Sequence, residues 1–186
     1  ETTNYIKKLR EIMKNYKLIL VSDAAGHGKS TFLTDLALKL RSCEVESEDP
    51  LEDAREVSSW VVKINLHAHI NDFNDEALDL NDAQFLDYIF ANFVMSENDQ
   101  NDRKILEKEA FIESIENSIF ILDGFDEIAP FCNEKVKKFI KKIISLNVSN
   151  VFVTTRPHLQ KDFKTFGKAL VNLQLTPFTD ADQYNY

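Results

Sequence analysis

The sequence has little cysteine and no long apolar run, and these two shortages exclude several classes of protein. Its 186 residues include only two cysteines, Cys43 and Cys132, whose spacing indicates neither a disulfide framework nor a cysteine zinc site. No apolar stretch approaches the roughly 20 residues of a membrane-spanning helix, and the run Leu18–Val21 is too short for a signal peptide. We therefore expect no membrane partner and a reducing, cytoplasmic setting.

The sequence also has fewer basic than acidic residues. The chain has 22 Lys and Arg against 31 Asp and Glu, a formal net charge of −9, which argues against a nucleic-acid binder that works by phosphate neutralisation. Apolar residues make up 44% of the chain and include 14 Phe, enough to bury the core of one domain. Because the chain begins with Glu1 and ends without a closing element, we expect it to be a piece of a longer protein.

Apolar spacing predicts strands that alternate with helices. The strands are expected at Leu18–Val21, Trp60–Leu66, Ile119–Leu122, Val151–Val153 and Leu170–Leu175. The helices are expected at 4–16, Ser30–Leu40, after a cap at Asn81 and Asp82, at Lys104–Glu116 and at Glu134–Ser145, with an acidic loop over Glu44–Glu56 and a polar turn over Ser96–Asp102. This alternation predicts an α/β fold with a parallel sheet.

The segment Asp23–Thr31 lies between the first strand and a helix, the context that turns a short glycine-rich pattern into a phosphate-binding loop. Polyphosphate needs many hydrogen-bond donors and little side-chain bulk. The backbone N–H groups expected to wrap the phosphates belong to Ala25, Gly26, His27 and Gly28, and the start of the next helix adds its dipole.

The last three residues of this segment supply side-chain chemistry. Lys29 is expected to place a mobile positive charge on the β- and γ-phosphates, and the Ser30 hydroxyl is expected to ligate Mg²⁺. Thr31 either faces the base or caps the helix. The usual opening glycine of G-x-x-x-x-G-K-[ST] is Asp23 here, which brings a negative charge close to the anion site.

A second motif, Phe120-Ile121-Leu122-Asp123-Gly124-Phe125-Asp126-Glu127, is an apolar strand that ends in acids. Asp123, at the carboxyl end of the strand, is expected to hold Mg²⁺ through water. Asp126 or Glu127 is expected to orient or deprotonate an attacking water. An acidic turn after a buried strand is the alternative, but it leaves the spacing from the phosphate loop unexplained.

A third motif, Val151-Phe152-Val153-Thr154-Thr155-Arg156-Pro157, has the same form. Arg156 is expected to reach the γ-phosphate and so to report whether it is present. One of the two adjacent hydroxyls, of Thr154 or Thr155, is expected to hold water or phosphate beside it.

In this order the three motifs look like the NACHT family of signal-transduction ATPases, a STAND class related to AAA+ enzymes. Asp-Gly-Phe-Asp-Glu at 123–127 carries most of the resemblance, and Thr-Thr-Arg-Pro at 154–157 resembles the sensor 1 segment of the family. The resemblance covers about Lys17 to Phe178. It divides the chain into a leading helix or linker at 1–16, a nucleotide-binding domain at 17–178 and the start of a helical domain at 179–186.

The resemblance implies a P-loop NTPase fold, a five-stranded parallel sheet flanked by helices in three layers, with the P-loop strand central. It also implies ATP or ADP with Mg²⁺, slow hydrolysis, and control of self-association by nucleotide state in defence or cell-death signalling. Two alternatives stay open: an interaction module that holds nucleotide with negligible turnover, and a small-molecule or nucleoside kinase that shares the P-loop.

Two weaker patterns also leave alternatives open. His67 and His69 alternate at the end of a strand, and they are either a polar strand end or the start of a metal site. The five lysines of the helix at 134–145 either form a basic patch for an acidic partner or solvate a packed helix; they are Lys135, Lys137, Lys138, Lys141 and Lys142.

Overall fold

A computed structural model of the chain describes residues 2–41, 60–73, 78–95, 101–167 and 170–175. The acidic loop predicted over Glu44–Glu56, residues 96–100 of the predicted polar turn and the segment 179–186 lie outside the described residues. Within the described residues, no helix is long and apolar enough to cross a bilayer.

Five parallel strands form one sheet, in the order β2-β3-β4-β1-β5. This confirms the predicted α/β fold. β1 pairs with β4 on one side and β5 on the other, so β1 is interior, and the middle position that the resemblance implies for it belongs to β4. The strands are β1 Leu18–Ser22, β2 Val61–Asn65, β3 Ile119–Asp123, β4 Asn150–Thr155 and β5 Leu170–Leu173.

Helices connect the strands. Asn81 caps the third of them as predicted, since its side chain accepts a hydrogen bond from the Gln84 backbone N–H and the Gln84 side chain accepts one in return. The helices are α1 Thr2–Asn15, α2 Lys29–Arg41, α3 Asp82–Ile89 with a π-helical turn at Phe90–Val94, α4 Asn101–Glu113 with a 3₁₀ turn at Ile115–Asn117, α5 Phe125–Ser145, and a 3₁₀ helix at Pro157–Phe166.

The sheet has a hydrophobic core on each face, because successive side chains of a strand point to opposite sides. One core packs β-strand residues such as Phe120 and Val151 against α3 and α5. The other packs residues such as Ile121 and Phe152 against α1 and α2. The domain therefore has the predicted three layers, helix, sheet and helix.

Four helices begin before the residues that apolar spacing predicts, α1 and α2 by only one or two residues and α4 and α5 by more. α5 begins at Phe125 and not at Glu134, and Pro130 lies inside it. A proline inside a helix removes a backbone donor and normally ends it, but here Phe125 and Ile128 are fully buried and keep the first turns packed. α4 begins at Asn101 and not at Lys104, and the 3₁₀ helix Pro157–Phe166 has no counterpart in the prediction.

Lys142 and Lys137, two of the five lysines of α5, contact other residues of the protein. The Lys142 ammonium donates hydrogen bonds to the carbonyls of Leu78, at 2.8 Å, and Leu80, and it lies 4.8 Å from the centre of the Phe85 ring. Lys137 pairs with Glu134 at 2.5 Å. These contacts favour the interpretation of a packed, solvated helix over a basic patch.

If Lys142 fixes the segment before α3, removing its charge should destabilise the fold. We expect Lys142→Met, which keeps the apolar stem, to lower the free energy of unfolding by about 1–2 kcal/mol, measured by urea denaturation. Lys138→Met, at an exposed position of the same helix, should change it by less than about 0.5 kcal/mol. Equal effects of the two substitutions would contradict this role.

Candidate nucleotide-binding site

The three motifs meet at one edge of the sheet. β3, β4 and β1 are neighbours in the sheet order, and parallel strands end on the same side. The loop after β1, the acidic end of β3 and the arginine after β4 therefore face a common region, the edge at which α/β proteins bind ligands.

The loop after β1 contains two glycines with left-handed backbone and leads directly into a helix. Gly26 and Gly28 adopt left-handed conformations, with φ of 81° and 79°. A Cβ added at Gly26 would meet no atom of the described residues within 4 Å, so the left-handed conformation, and not lack of space, is the reason that this position favours glycine. Helix α2 begins at Lys29, directly after the loop, and the Phe32 N–H donates to the Gly28 carbonyl at 2.8 Å.

Lys29 lies back across the loop. Its ammonium donates to the backbone carbonyls of Asp23 and Ala24, each at 2.9 Å. Both carbonyls are oxygen acceptors without net charge, and a phosphate is a stronger acceptor because it is ionised. The side chain is therefore placed at the loop and held by partners that an anion can replace.

The structure brings Ser30 and Asp123, the two residues expected to hold Mg²⁺, into contact with each other. The Ser30 hydroxyl, in the first turn of α2, donates to Asp123 Oδ1 at 3.1 Å. A hydroxyl and a carboxylate are hard oxygen donors of the kind that Mg²⁺ prefers, so the pair fits this cation. Of the two candidate hydroxyls on β4, that of Thr154 also donates to Asp123 Oδ1, at 2.8 Å, whereas Thr155 belongs to the opposite face of the strand.

Asp126 and Arg156 are paired with each other. Arg156 Nε donates to Asp126 Oδ2 at 2.7 Å; the Arg156 side chain is 46% exposed and that of Asp126 only 8%. Both residues were expected to act on the nucleotide, and in this structure each is the other's partner. Glu127 is exposed and lies over Gly124, where an added Cβ would come within 3.4 Å of its Oε2.

Asp23 turns its carboxylate toward its own loop. Oδ1 accepts a hydrogen bond from the Ala24 N–H at 2.7 Å and lies 2.8 Å from His27 Nδ1. The hydrogen bond from Ala24 is the main cause of a pKa lower than usual for Asp23, and His27 and the Leu175 backbone N–H act in the same direction. The charge that replaces the usual opening glycine is thus compensated locally.

The remaining residues of the loop lie at the surface, and the two histidines singled out in the sequence lie after β2. Ala25, His27 and Thr31 are exposed among the described residues. His69 Nδ1 lies 2.8 Å from Asp72, and the ring contacts Phe93 edge to face. β2 ends at Asn65, so His67 and His69 lie in the turn after the strand. The part of the chain that the structure describes holds no group of three His, Cys, Asp or Glu side chains suited to a metal.

Comparison with known proteins adds little to this geometry. No protein-family model and no curated protein sequence matches the chain. Among solved structures, a DNA replication initiation factor is 13% identical over 100% of this chain with a TM-score of 0.49. Drosophila ORC bound to AT-rich DNA and Cdc6 is 13% identical over 96% of this chain with a TM-score of 0.42. The chain spans 49% and 56% of these two chains, and such distant likeness assigns no ligand or partner to it.

The lowered pKa of Asp23 gives a pH-dependent stability. Because the pKa of Asp23 is depressed in the folded state, ionised Asp23 stabilises the fold at pH values above its ordinary pKa of 3.8. This stabilisation is lost as the pH falls through the pKa of the folded state. We expect the wild type to exceed Asp23→Asn in free energy of unfolding at about pH 6 and to lose that advantage progressively below about pH 4, in urea denaturation series. Asp79→Asn, at an exposed position outside the loop, is the matched control. An Asp23→Asn difference that stays constant across this range would contradict the assignment.

Proposed function

We propose that this chain is a Mg²⁺-dependent ATP- and ADP-binding NTPase domain of the NACHT type, in which nucleotide state controls self-association of a larger signalling protein. The observation that carries the nucleotide site is the hydrogen bond of 3.1 Å between Ser30 Oγ and Asp123 Oδ1, beside a loop closed by Lys29. A hydroxyl that opens a helix after a glycine loop, and a carboxylate at the end of a neighbouring strand, are the two protein ligands that a P-loop site supplies to Mg²⁺.

Each residue of the loop then has a specific task. The backbone N–H groups of Ala25–Gly28 bind the phosphates, and Lys29 exchanges its two carbonyl partners for phosphate oxygens. Ser30 and Asp123 hold the cation, which neutralises charge on the phosphates when bound. Thr31 lies one position further along, inside α2, which begins at Lys29, so the expectation that it caps the helix is wrong and we assign it to the base side.

Hydrolysis is assigned to Asp126, Glu127 and Arg156. Glu127 is exposed in the first turn of α5 and is the better placed of the two acids to orient water, because Asp126 is engaged by Arg156. Binding of a γ-phosphate by Arg156 breaks this ion pair and so makes turnover depend on a rearrangement. Slow ATP hydrolysis is the expected result.

The same ion pair favours a second candidate, a module that holds nucleotide without significant turnover. In that case Arg156 and Asp126 stay paired, and the nucleotide serves only to fix the loop and α2 for contact with a partner. Both candidates share the binding site and differ only in hydrolysis. The domain limits 17–178, the signalling context and self-association are proposed from the resemblance of the motifs.

Binding of nucleotide is tested most simply at Lys29. We expect calorimetric titration to show ATP and ADP binding with Mg²⁺, and Lys29→Ala to weaken it by about 10- to 100-fold, because a charge-assisted contact to phosphate is lost. Lys138→Ala, at an exposed position on α5, should leave the affinity unchanged. Wild-type binding that Lys29→Ala does not alter would overturn the proposed site, and a parallel GTP titration defines the base preference.

Hydrolysis separates the two candidates. For an ATPase, Glu127→Gln should lower phosphate release at saturating ATP by at least about 10-fold while binding persists, because a group that orients water is lost. Asp126→Asn weakens the ion pair with Arg156 and serves as the second variant. A wild-type rate at background, unchanged in both variants, would favour the module without turnover.

A further inference from the structure

Thr154 occupies a special position at the end of β4. Its side chain is on the same face of the sheet as Asp123 and is 1% exposed. Its hydroxyl accepts a hydrogen bond from the Gly124 N–H at 2.7 Å and donates one to Asp123 Oδ1 at 2.8 Å. One buried hydroxyl therefore links the metal-binding end of β3 to the neighbouring strand.

These two bonds fix the direction of the hydroxyl. A threonine hydroxyl has a single hydrogen to donate, and here the Gly124 N–H occupies its acceptor side, so the hydrogen is committed to the carboxylate. Asp123 Oδ1 also accepts from Ser30 at 3.1 Å. The carboxylate therefore accepts hydrogen bonds from Thr154 on β4 and from Ser30 on α2. If Ser30 instead binds a cation, Thr154 is the residue that still holds the carboxylate in its orientation.

We propose that Thr154 is a positioning residue that orients Asp123 for Mg²⁺ binding, an inference that rests on the function proposed above. It acts through Asp123 and needs no contact with nucleotide or cation. Groups that orient a metal ligand in this way contribute to metal affinity because they restrict the ligand to its binding orientation before the metal arrives.

The neighbouring residue provides a matched control. Thr155 is 0% exposed, lies on the opposite face of β4, and its hydroxyl has no hydrogen-bond partner among the described residues. Valine has nearly the shape of threonine without the hydroxyl. Thr154→Val therefore removes a hydroxyl with two partners, and Thr155→Val removes one with none, by the same substitution one residue away.

The measurement is ATP binding by calorimetry over a series of Mg²⁺ concentrations and in EDTA. We expect Thr154→Val to raise the Mg²⁺ concentration for half-maximal enhancement of ATP binding by about 10-fold or more. Binding in EDTA should stay within about twofold of the wild type, which a general structural defect would not allow. Thr154→Ser should restore the wild-type Mg²⁺ dependence, and Thr155→Val should not change it.

Two outcomes separate this inference from the function on which it rests. If the wild type binds no nucleotide, or binds it without an effect of Mg²⁺, the proposed function fails and the inference fails with it. If the wild type shows Mg²⁺-enhanced binding and Thr154→Val shows the same dependence, only the role of Thr154 is overturned. Should Thr154→Val not fold, because the Gly124 N–H loses its acceptor, Thr154→Ala leaves room for water there, and the same criteria apply to it.

Discussion

The carboxylate of Asp123 is the point on which the site depends. Its Oδ1 accepts hydrogen bonds from Ser30 on α2 and Thr154 on β4, and its backbone carbonyl accepts from the Leu66 N–H beyond β2, at 2.9 Å. Only 8% of Asp123 is exposed, so its carboxylate must be hydrogen-bonded. A buried charge left without partners lowers the free energy of unfolding by roughly several kcal/mol. These hydrogen bonds hold the first turn of α2, the acidic end of β3 and the end of β4 in one arrangement.

Two positively charged side chains of the site donate hydrogen bonds to oxygen atoms of the protein. Lys29 donates to carbonyls of its own loop, and Arg156 donates to the Asp126 carboxylate. Each of these partners is replaceable by a phosphate oxygen, so nucleotide binding in this account is an exchange of partners and does not require new positive charge to be brought in. Asp23 fits the same picture, because its carboxylate is used within the loop by Ala24 and His27.

Much of this was predictable from the sequence, and the exceptions have physical causes. The strands and the start of α2 follow from apolar spacing and from Gly-Lys-Ser, which are local signals. The early start of α5 was missed because the polar residues and Pro130 near its beginning suggest a turn, and only the burial of Phe125 and Ile128 overrides them. The ion pair between Arg156 and Asp126, the middle position of β4 and the link from Thr154 to Asp123 all depend on strand order and register, which sequence spacing does not fix.

A structure of the protein determined with Mg²⁺ and ADP bound tests the central claim most directly. The account predicts phosphates on the backbone N–H groups of the loop, Lys29 released from the Asp23 and Ala24 carbonyls, and the cation ligated by Ser30 with Asp123 beside it. Phosphates bound elsewhere, or a cation away from Ser30 and Asp123 while these two stay hydrogen-bonded to each other, would contradict it.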